Sequence, residues 1–153
     1  MLRLAAEFQG FTRDLHNLAV DICASEIANT NPALANVIQL EMTRNRNLDK
    51  GNANPGSLGA DFGRLGLLLW PALEKVNSRA QTWNKHLEAL NVARNAIAHS
   101  DPGGLARLQQ LGYPTVTLGV AKKWRVSLDA LATAMDDVVA DYLARLIGGQ
   151  RPW

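Results

Sequence analysis

The sequence lacks several features that would define its class at once. It has one cysteine, Cys23, which excludes an intrachain disulfide and is typical of a reducing compartment. No apolar run approaches the ~20 residues that a membrane-spanning helix needs. Polar residues interrupt the first fourteen positions, so the pattern does not indicate a signal peptide. We therefore expect a cytoplasmic protein with no membrane partner.

Strong charge of one sign is also missing. Sixteen Lys and Arg residues stand against 14 Asp and Glu residues, for a formal net charge of +2. This is far from the basic bias of many nucleic-acid binders, so an RNA partner would be held by a local patch or contacted only briefly. The three histidines have no zinc-like spacing, and the glycines match no phosphate-binding loop. We expect no metal site and no cofactor.

Apolar residues are plentiful enough for one compact domain that spans residues 1–153. They make up 47% of the chain, which argues against disorder. Their spacing predicts an all-α bundle of about five main helices. The predicted helical segments are 1–29, 32–46, 61–70 with Asp61 as its cap, 71–99 as one helix or as two broken near Asn77, 105–111, and 128–147 with Ser127 as its cap.

Two segments break this helical pattern. Residues 47–59 are rich in asparagine and glycine and predict a mobile loop, either an inert connector or a flap beside a substrate. Residues 115–118 and 124–126 alternate enough to predict a small β-hairpin over about 115–126. Two strands alone are marginally stable, so we expect the hairpin to lie on the bundle. In the second predicted helix, the buried face is expected to consist of Leu34, Val37, Ile38 and Met42.

The segment most informative about function begins at Arg94 and reads Arg-Asn-Ala-Ile-Ala-His, followed by Ser-Asp-Pro-Gly-Gly. Proline restricts the residue before it and two glycines follow, so a helix is expected to end near His99. Asn95 and His99 are four residues apart and share a helix face. Arg94 lies about 140° round the helix from His99, at ~100° per residue, but its long side chain can reach toward the histidine.

This string resembles the Arg-x4-His motif of HEPN domains, small helical bundles that include many RNA-cleaving toxins. The resemblance is specific for about ten positions and implies a four- or five-helix bundle with the motif on a late helix. It further implies a homodimer in which two motifs form one cleft, with RNA as the substrate. A toxin of a toxin–antitoxin or phage-defence system would add an antitoxin protein as a partner. Within the superfamily we favour the RiboL-PSP-HEPN-like or toxin-like branches, a choice that the sequence does not decide.

The three side chains are suited to RNA cleavage without a metal. A histidine can take the proton of a ribose 2′-OH or give one to the leaving 5′-oxygen, and a helix C-terminus favours the imidazolium. Arg94 can stabilise the charge on the phosphate, and Asn95 can orient either group. Metal-independent cleavage is expected to leave a 2′,3′-cyclic phosphate or 3′-phosphate and a 5′-hydroxyl. The alternatives are a non-catalytic HEPN-like module that binds a nucleotide, RNA or a protein partner, and a purely structural helix end.

Two further sets of residues are weaker candidates for substrate binding. Arg13 and His16 lie on one face of the first helix, where His16 is either a second catalytic histidine or part of a solvated face.

Basic residues form the second set and flank Trp124. These residues, Lys122, Lys123 and Arg125, either hold single-stranded RNA with help from the indole or form a charged hairpin tip, which is the interpretation that we favour. We expect His86 to be a surface or half-buried histidine without a catalytic role.

Overall fold

The computed structural model describes residues 1–153 as eight α-helices without a β-strand. Two long helices and the helix that carries the motif form the body of the bundle, and three short helices connect α2 to α6. The helices are α1 (Leu2–Ala28), α2 (Pro32–Thr43), α3 (Asn47–Lys50), α4 (Pro55–Arg64), α5 (Leu69–Val76), α6 (Ala80–His99), α7 (Pro102–Gln110) and α8 (Leu118–Ile147). The predicted all-α class is confirmed, although the helices outnumber the five main ones expected.

Helix starts follow one local rule in three of the eight cases. A polar residue accepts a backbone N–H with its side chain, and proline follows as the first helical residue, where its missing N–H costs no hydrogen bond. The three capping residues are Asn31 before α2, Asn54 before α4 and Asp101 before α7.

Several predicted boundaries are confirmed. The first helix covers almost all of the predicted 1–29, and the motif helix ends at His99. The segment 71–99 is indeed broken near Asn77, whose side chain accepts the N–H of Arg79 between α5 and α6. The last helix ends at Ile147, and Gly148 takes a left-handed conformation with φ 68°.

The predicted β-hairpin over 115–126 is wrong. Thr117 caps α8, which begins at Leu118 and runs for 30 residues. Trp124 is fully buried and meets Tyr113 edge-on at 5.1 Å between ring centroids. Trp124, Leu128 and Leu131 recur at helical spacing and are buried on one face. Burial of this face outweighs the alternating pattern that favoured a strand. Ser127 is consequently inside the helix and not its cap.

The loop predicted over 47–59 is shorter than expected, because α3 and the start of α4 lie within it and only residues 51–54 connect them. Asp61 does not begin a helix that reaches Trp70. It lies buried inside α4, and its carboxylate accepts the N–H groups of Asn47 at 3.1 Å and Leu48 at 2.8 Å. It therefore caps α3 from 13 to 14 residues away in sequence, a distance at which local patterns carry no signal.

The core consists of 27 buried apolar residues, and every helix except α2 contributes to it. Helix α2 contributes less than expected, because it packs mainly on α1 and buries only Ala35. Leu34 and Val37, expected to be buried, are 46% and 55% exposed. None of the eight helices combines the length and the apolar character that crossing a lipid bilayer requires.

Candidate functional site

The motif occupies the last two turns of α6, which is anchored to the core by an upstream apolar face. Trp83, Leu87 and Leu90 are buried on that face. The helix ends at His99, and Ser100 takes a left-handed conformation with φ 49° and ψ 41°. The carboxylate of Asp101 then accepts the N–H groups of Gly103 and Gly104 at 2.9 and 3.1 Å, which starts α7. Only two residues separate the helices, so the end of the motif has a defined position.

Arg94 and Asn95 are held together by a hydrogen bond. A guanidinium nitrogen of Arg94 donates to Asn95 Oδ1 at 3.0 Å, and the same oxygen accepts from Asn52 Nδ2 at 2.7 Å. Arg94 is half-buried and Asn95 is exposed. The side chain of Asn52, in the segment between α3 and α4, thus ties that segment to the motif.

His99 is exposed, and neither of its ring nitrogens has a hydrogen-bond partner within the chain. The structure therefore brings Arg94 and Asn95 into contact and leaves the imidazole one turn further along, open to solvent. An exposed histidine with both nitrogens free can exchange a proton with a bound molecule.

A groove of about 470 Å³ lies beside the motif, between the segment after α3 and helices α6 and α7. Its residues are mostly polar, with one apolar side chain, Val92. Glu88 accepts a hydrogen bond from Arg107 at 2.8 Å and forms a salt bridge with it. The full lining is Asn52, Asn54, Pro55, Gly56, Glu88, Asn91, Val92, Asn95 and Arg107.

The amino-acid sequence did not predict this groove. One signal was present: Asn91 lies one turn before Asn95 on α6, so helical spacing puts the two side chains on the same face. Asn52 gave no local signal, because its contact with Asn95 spans 43 positions.

His16, a candidate for the second histidine, is fully buried with both ring nitrogens engaged. Arg46 donates to Nδ1 at 3.0 Å, which makes Nδ1 the acceptor, so Nε2–H donates to the carbonyl oxygen of Asp61 at 3.0 Å. Burial, with a smaller effect from the nearby Arg46 cation, lowers the pKa of His16 below its ordinary value. His16 is thus a neutral imidazole in the interior. Arg13, its proposed companion, is exposed on α1.

Arg46 is the centre of this interior network. It also binds the carboxylate of Asp49 with two nitrogens, at 3.0 and 3.1 Å, and Asn17 Oδ1 at 2.7 Å. Its residue exposure is only 5%. The network joins α1, α3 and α4 and leaves no free acid or base to face a ligand.

The basic cluster at 122–125 has a different geometry from the one expected. Lys122, Lys123 and Arg125 are exposed on the first turns of α8, but Trp124 between them is fully buried and offers no face to a base. Arg125 lies 3.8 Å from Asp129 in a surface ion pair.

His86 is half-buried beside this cluster. Its Nδ1 pairs with Ser127 Oγ at 2.7 Å. Burial, followed by the charge of Lys123, lowers its pKa. The structure separates both His16 and His86 from the solvent-open groups of the motif.

The candidate site is therefore Arg94, Asn95 and His99 with the adjacent groove. A cation in Arg94 and a free imidazole in His99 suit a substrate that carries a phosphate and exchanges protons. No group of three or more His, Cys, Asp or Glu side chains is placed to hold a metal ion. Comparisons of the chain with family models, with curated proteins and with solved structures find no match.

Proposed function

We propose that this protein is a HEPN-like, metal-independent endoribonuclease that acts through Arg94, Asn95 and His99. The observation that supports it most is the end of α6, where an imidazole with free nitrogens lies one turn from an arginine held by an asparagine. A purely structural helix end would be expected to use the histidine on the last carbonyl groups, and His99 makes no such hydrogen bond.

Each residue has a role in the proposed reaction. One imidazole takes the proton of the ribose 2′-OH as the 2′-oxygen attacks phosphorus, and Arg94 stabilises the negative charge that builds on the phosphate oxygens. Asn95 holds the guanidinium, and Asn52 holds Asn95. A second acid protonates the departing 5′-oxygen. The products are a 2′,3′-cyclic phosphate and a 5′-hydroxyl, with no atom supplied by a metal or cofactor.

The second acid is proposed to be His99 of a second copy in a homodimer. Within one chain, His16 is buried between Arg46 and a carbonyl, and His86 pairs with Ser127. His16 has no free nitrogen, and His86 lies 13 residues before His99 on α6, about 20 Å along the helix axis. Two motifs that face each other across a two-fold axis would supply one base and one acid.

The cellular role that follows is cleavage of cytoplasmic RNA, as the toxin of a toxin–antitoxin or phage-defence system. An antitoxin protein would then act by covering the exposed His99. The alternative is a non-catalytic HEPN-like module that binds a nucleotide, RNA or a protein partner. One observation favours that alternative, because no side chain of the same chain orients the His99 ring, as the partner of a catalytic histidine commonly does.

The deciding experiment is cleavage of mixed cellular RNA in EDTA by the parent and by its His99→Ala and Arg94→Ala variants. We expect both variants to lose at least about 100-fold in rate, the lower range for a general acid–base or charge-stabilising group. Arg3→Ala, which removes an exposed arginine of α1, is the matched control and should cleave like the parent. Cleavage that survives both motif substitutions would contradict the site, and a parent that cleaves nothing would favour the binding module.

A further inference from the structure

The groove beside the motif contains hydrogen-bonding atoms that the fold does not use. Asn91 is 6% exposed, and its amide nitrogen donates both hydrogens, to Ala53 O at 3.0 Å and to Leu87 O at 2.9 Å. Its Oδ1 lines the groove and accepts no hydrogen bond from the protein. Because this oxygen is open to the groove, it can accept a hydrogen bond from a ligand that donates one.

Two other side chains of the groove also have unused hydrogen-bonding atoms, one a donor and the other an acceptor. Asn95 uses its Oδ1 twice, but its amide nitrogen donates to no group in the chain. Asn52 donates through Nδ2, and its Oδ1 accepts nothing. The groove therefore presents donors and acceptors side by side, carried by neutral amides, together with the mutually neutralised Glu88 and Arg107.

This arrangement selects the kind of ligand. A phosphate offers only acceptors, so Asn91 Oδ1 and Asn52 Oδ1 would be left unpaired against it, and the carboxylate of Glu88 would repel it. A nucleobase presents donors and acceptors along one edge of a planar, uncharged ring, and amide side chains pair with such edges. The Arg107 side chain, exposed at the rim, offers a guanidinium plane on which a base can stack.

The groove is also held in place before any ligand arrives. Asn91 fixes the carbonyl of Ala53 to α6, Asn52 fixes the same segment to Asn95, and Asn54 caps α4 through the N–H of Ser57. Its volume of about 470 Å³ lies in the range of small-ligand sites. A preorganised site loses little conformational entropy on binding.

We infer that this groove binds the nucleobase next to the scissile phosphate and thereby gives the enzyme a sequence preference. The inference rests on the proposed function for the location of the phosphate at Arg94, while base binding itself depends only on the groove. Asn95 would serve both sites, with its oxygen holding Arg94 and its amide nitrogen facing the base.

Titration of the four ribonucleosides into the parent protein tests the inference without relying on cleavage. The readout is the side-chain amide NMR signals of Asn52 and Asn95, with ribose 5-phosphate as the probe that carries no base. We expect at least one nucleoside to shift these signals and ribose 5-phosphate to leave them in place. Equal shifts from ribose 5-phosphate, or none from any nucleoside, would overturn the inference.

A variant pair then locates the binding. Asn91→Ala removes the free oxygen but also two structural hydrogen bonds, so Glu88→Ala/Arg107→Ala, at the rim, is the more informative change. It should weaken nucleoside binding at least about fivefold, the lower end of what one well-placed pair with a base contributes. Arg3→Ala/Glu7→Ala removes an exposed ion pair outside the groove and should bind like the parent.

The two proposals fail separately. Cleavage abolished by His99→Ala with no nucleoside response would retain the nuclease and remove the base site. Nucleoside shifts that Glu88→Ala/Arg107→Ala weakens, in a protein that cleaves no RNA, would retain the base site and remove the nuclease. Where both hold, the rim variant should also cut random-sequence RNA with a weaker base preference beside the cleaved bond than the parent shows.

Discussion

His16 illustrates, at the scale of single residues, how the fold fixes a protonation state. The groups that face it are Arg46, the carbonyl and carboxylate of Asp61, the nearby Arg64 and the ring edge of Phe62. A proton on Nδ1 would remove the acceptor for Arg46 and place two cations together in the interior. The lowered pKa of His16 reflects this cost, and burial contributes the largest part.

Stability should therefore fall in mild acid. Because the folded-state pKa of His16 lies below the unfolded value of about 6.5, the unfolded chain binds the proton more readily. The contribution of neutral His16 is fully present above pH 6.5 and is lost as the pH falls toward the folded-state pKa, with a limiting slope of about 1.4 kcal/mol per pH unit. Urea unfolding at pH 7.5 and 5.5 measures it.

The control is His16→Gln, which should unfold more readily at pH 7.5 but lose less stability between the two pH values. His86 also has a lowered pKa and contributes a change of the same sign, so the variant retains part of the slope. A parent whose unfolding free energy is equal at both pH values would contradict the assignment of His16 as the neutral form.

The two histidines differ in how far the sequence could predict them. The exposed end of the helix at His99 follows from a local pattern of proline and glycines, and the structure confirms that α6 ends there. The surroundings of His16 depend on Arg46 and Asp61, which are 30 and 45 positions away. Helical spacing shows which face of α1 carries His16 but not that a buried arginine will meet it.

At the scale of helices, the prediction for the start of α8 also failed because it relied on a local sequence pattern and could not include distant contacts. Residues 115–118 include β-branched side chains, and local propensity there favours a strand. The segment from Leu118 is nevertheless helical, because a helix buries Trp124 and Leu128 together on one face against the bundle. Propensity is a weak guide wherever a long apolar face can be buried.

The contact between α6 and α7 leads to a second prediction, centred on Gly104. A Cβ at this position would lie 2.7 Å from the Cβ of Ala96, inside the motif helix, and 3.3 Å from its Cα. Gly104→Ala should force the two helices apart and lower the unfolding free energy by about 1–3 kcal/mol, the usual range for overpacking. Thermal unfolding and RNA cleavage, measured on the same preparation, would report both effects.

Gly10→Ala is the matched control for this substitution. Gly10 lies inside α1, and a Cβ there meets no atom within 4 Å. Because alanine restricts the unfolded chain and suits a helix, this variant should gain about 0.4–1 kcal/mol. A Gly104→Ala protein as stable as the parent would show that α7 can shift without cost and that the short connection at Ser100 does not fix the site.

For the whole molecule, the helical class followed from the repeat of apolar residues, but the candidate site did not follow in full. Arg94, Asn95 and His99 are close in sequence, so a helix alone brings them together. The groove needs the segment at Asn52, whose contact with α6 depends on how α3 and α4 fold. Exposed apolar side chains on α2, such as Val37 at 55%, also depart from the predicted buried face, because α2 packs mainly on α1.

The proposed homodimer gives the last prediction, which concerns two chains at once. If each cleft uses His99 from both copies, a dimer with one His99→Ala chain is as inactive as one with two. Random pairing of equal amounts of parent and variant leaves about one quarter of the dimers fully parental, as a two-fold assembly requires. Cleavage should then fall to about one quarter of the rate of the same total amount of parent, whereas independent chains would give about one half.

Co-expression of the two chains with different tags allows the pairing, and purification through both tags isolates the mixed dimer. That mixed species should be inactive, while a mixed dimer of parent with Arg3→Ala, handled identically, should cleave like the parent. Half the parental rate in the mixed His99→Ala dimer would mean that each chain carries a complete site. The second acid would then have to come from a group of the same chain other than His16, which is engaged in the interior, and His86, which lies about 20 Å from His99 along α6.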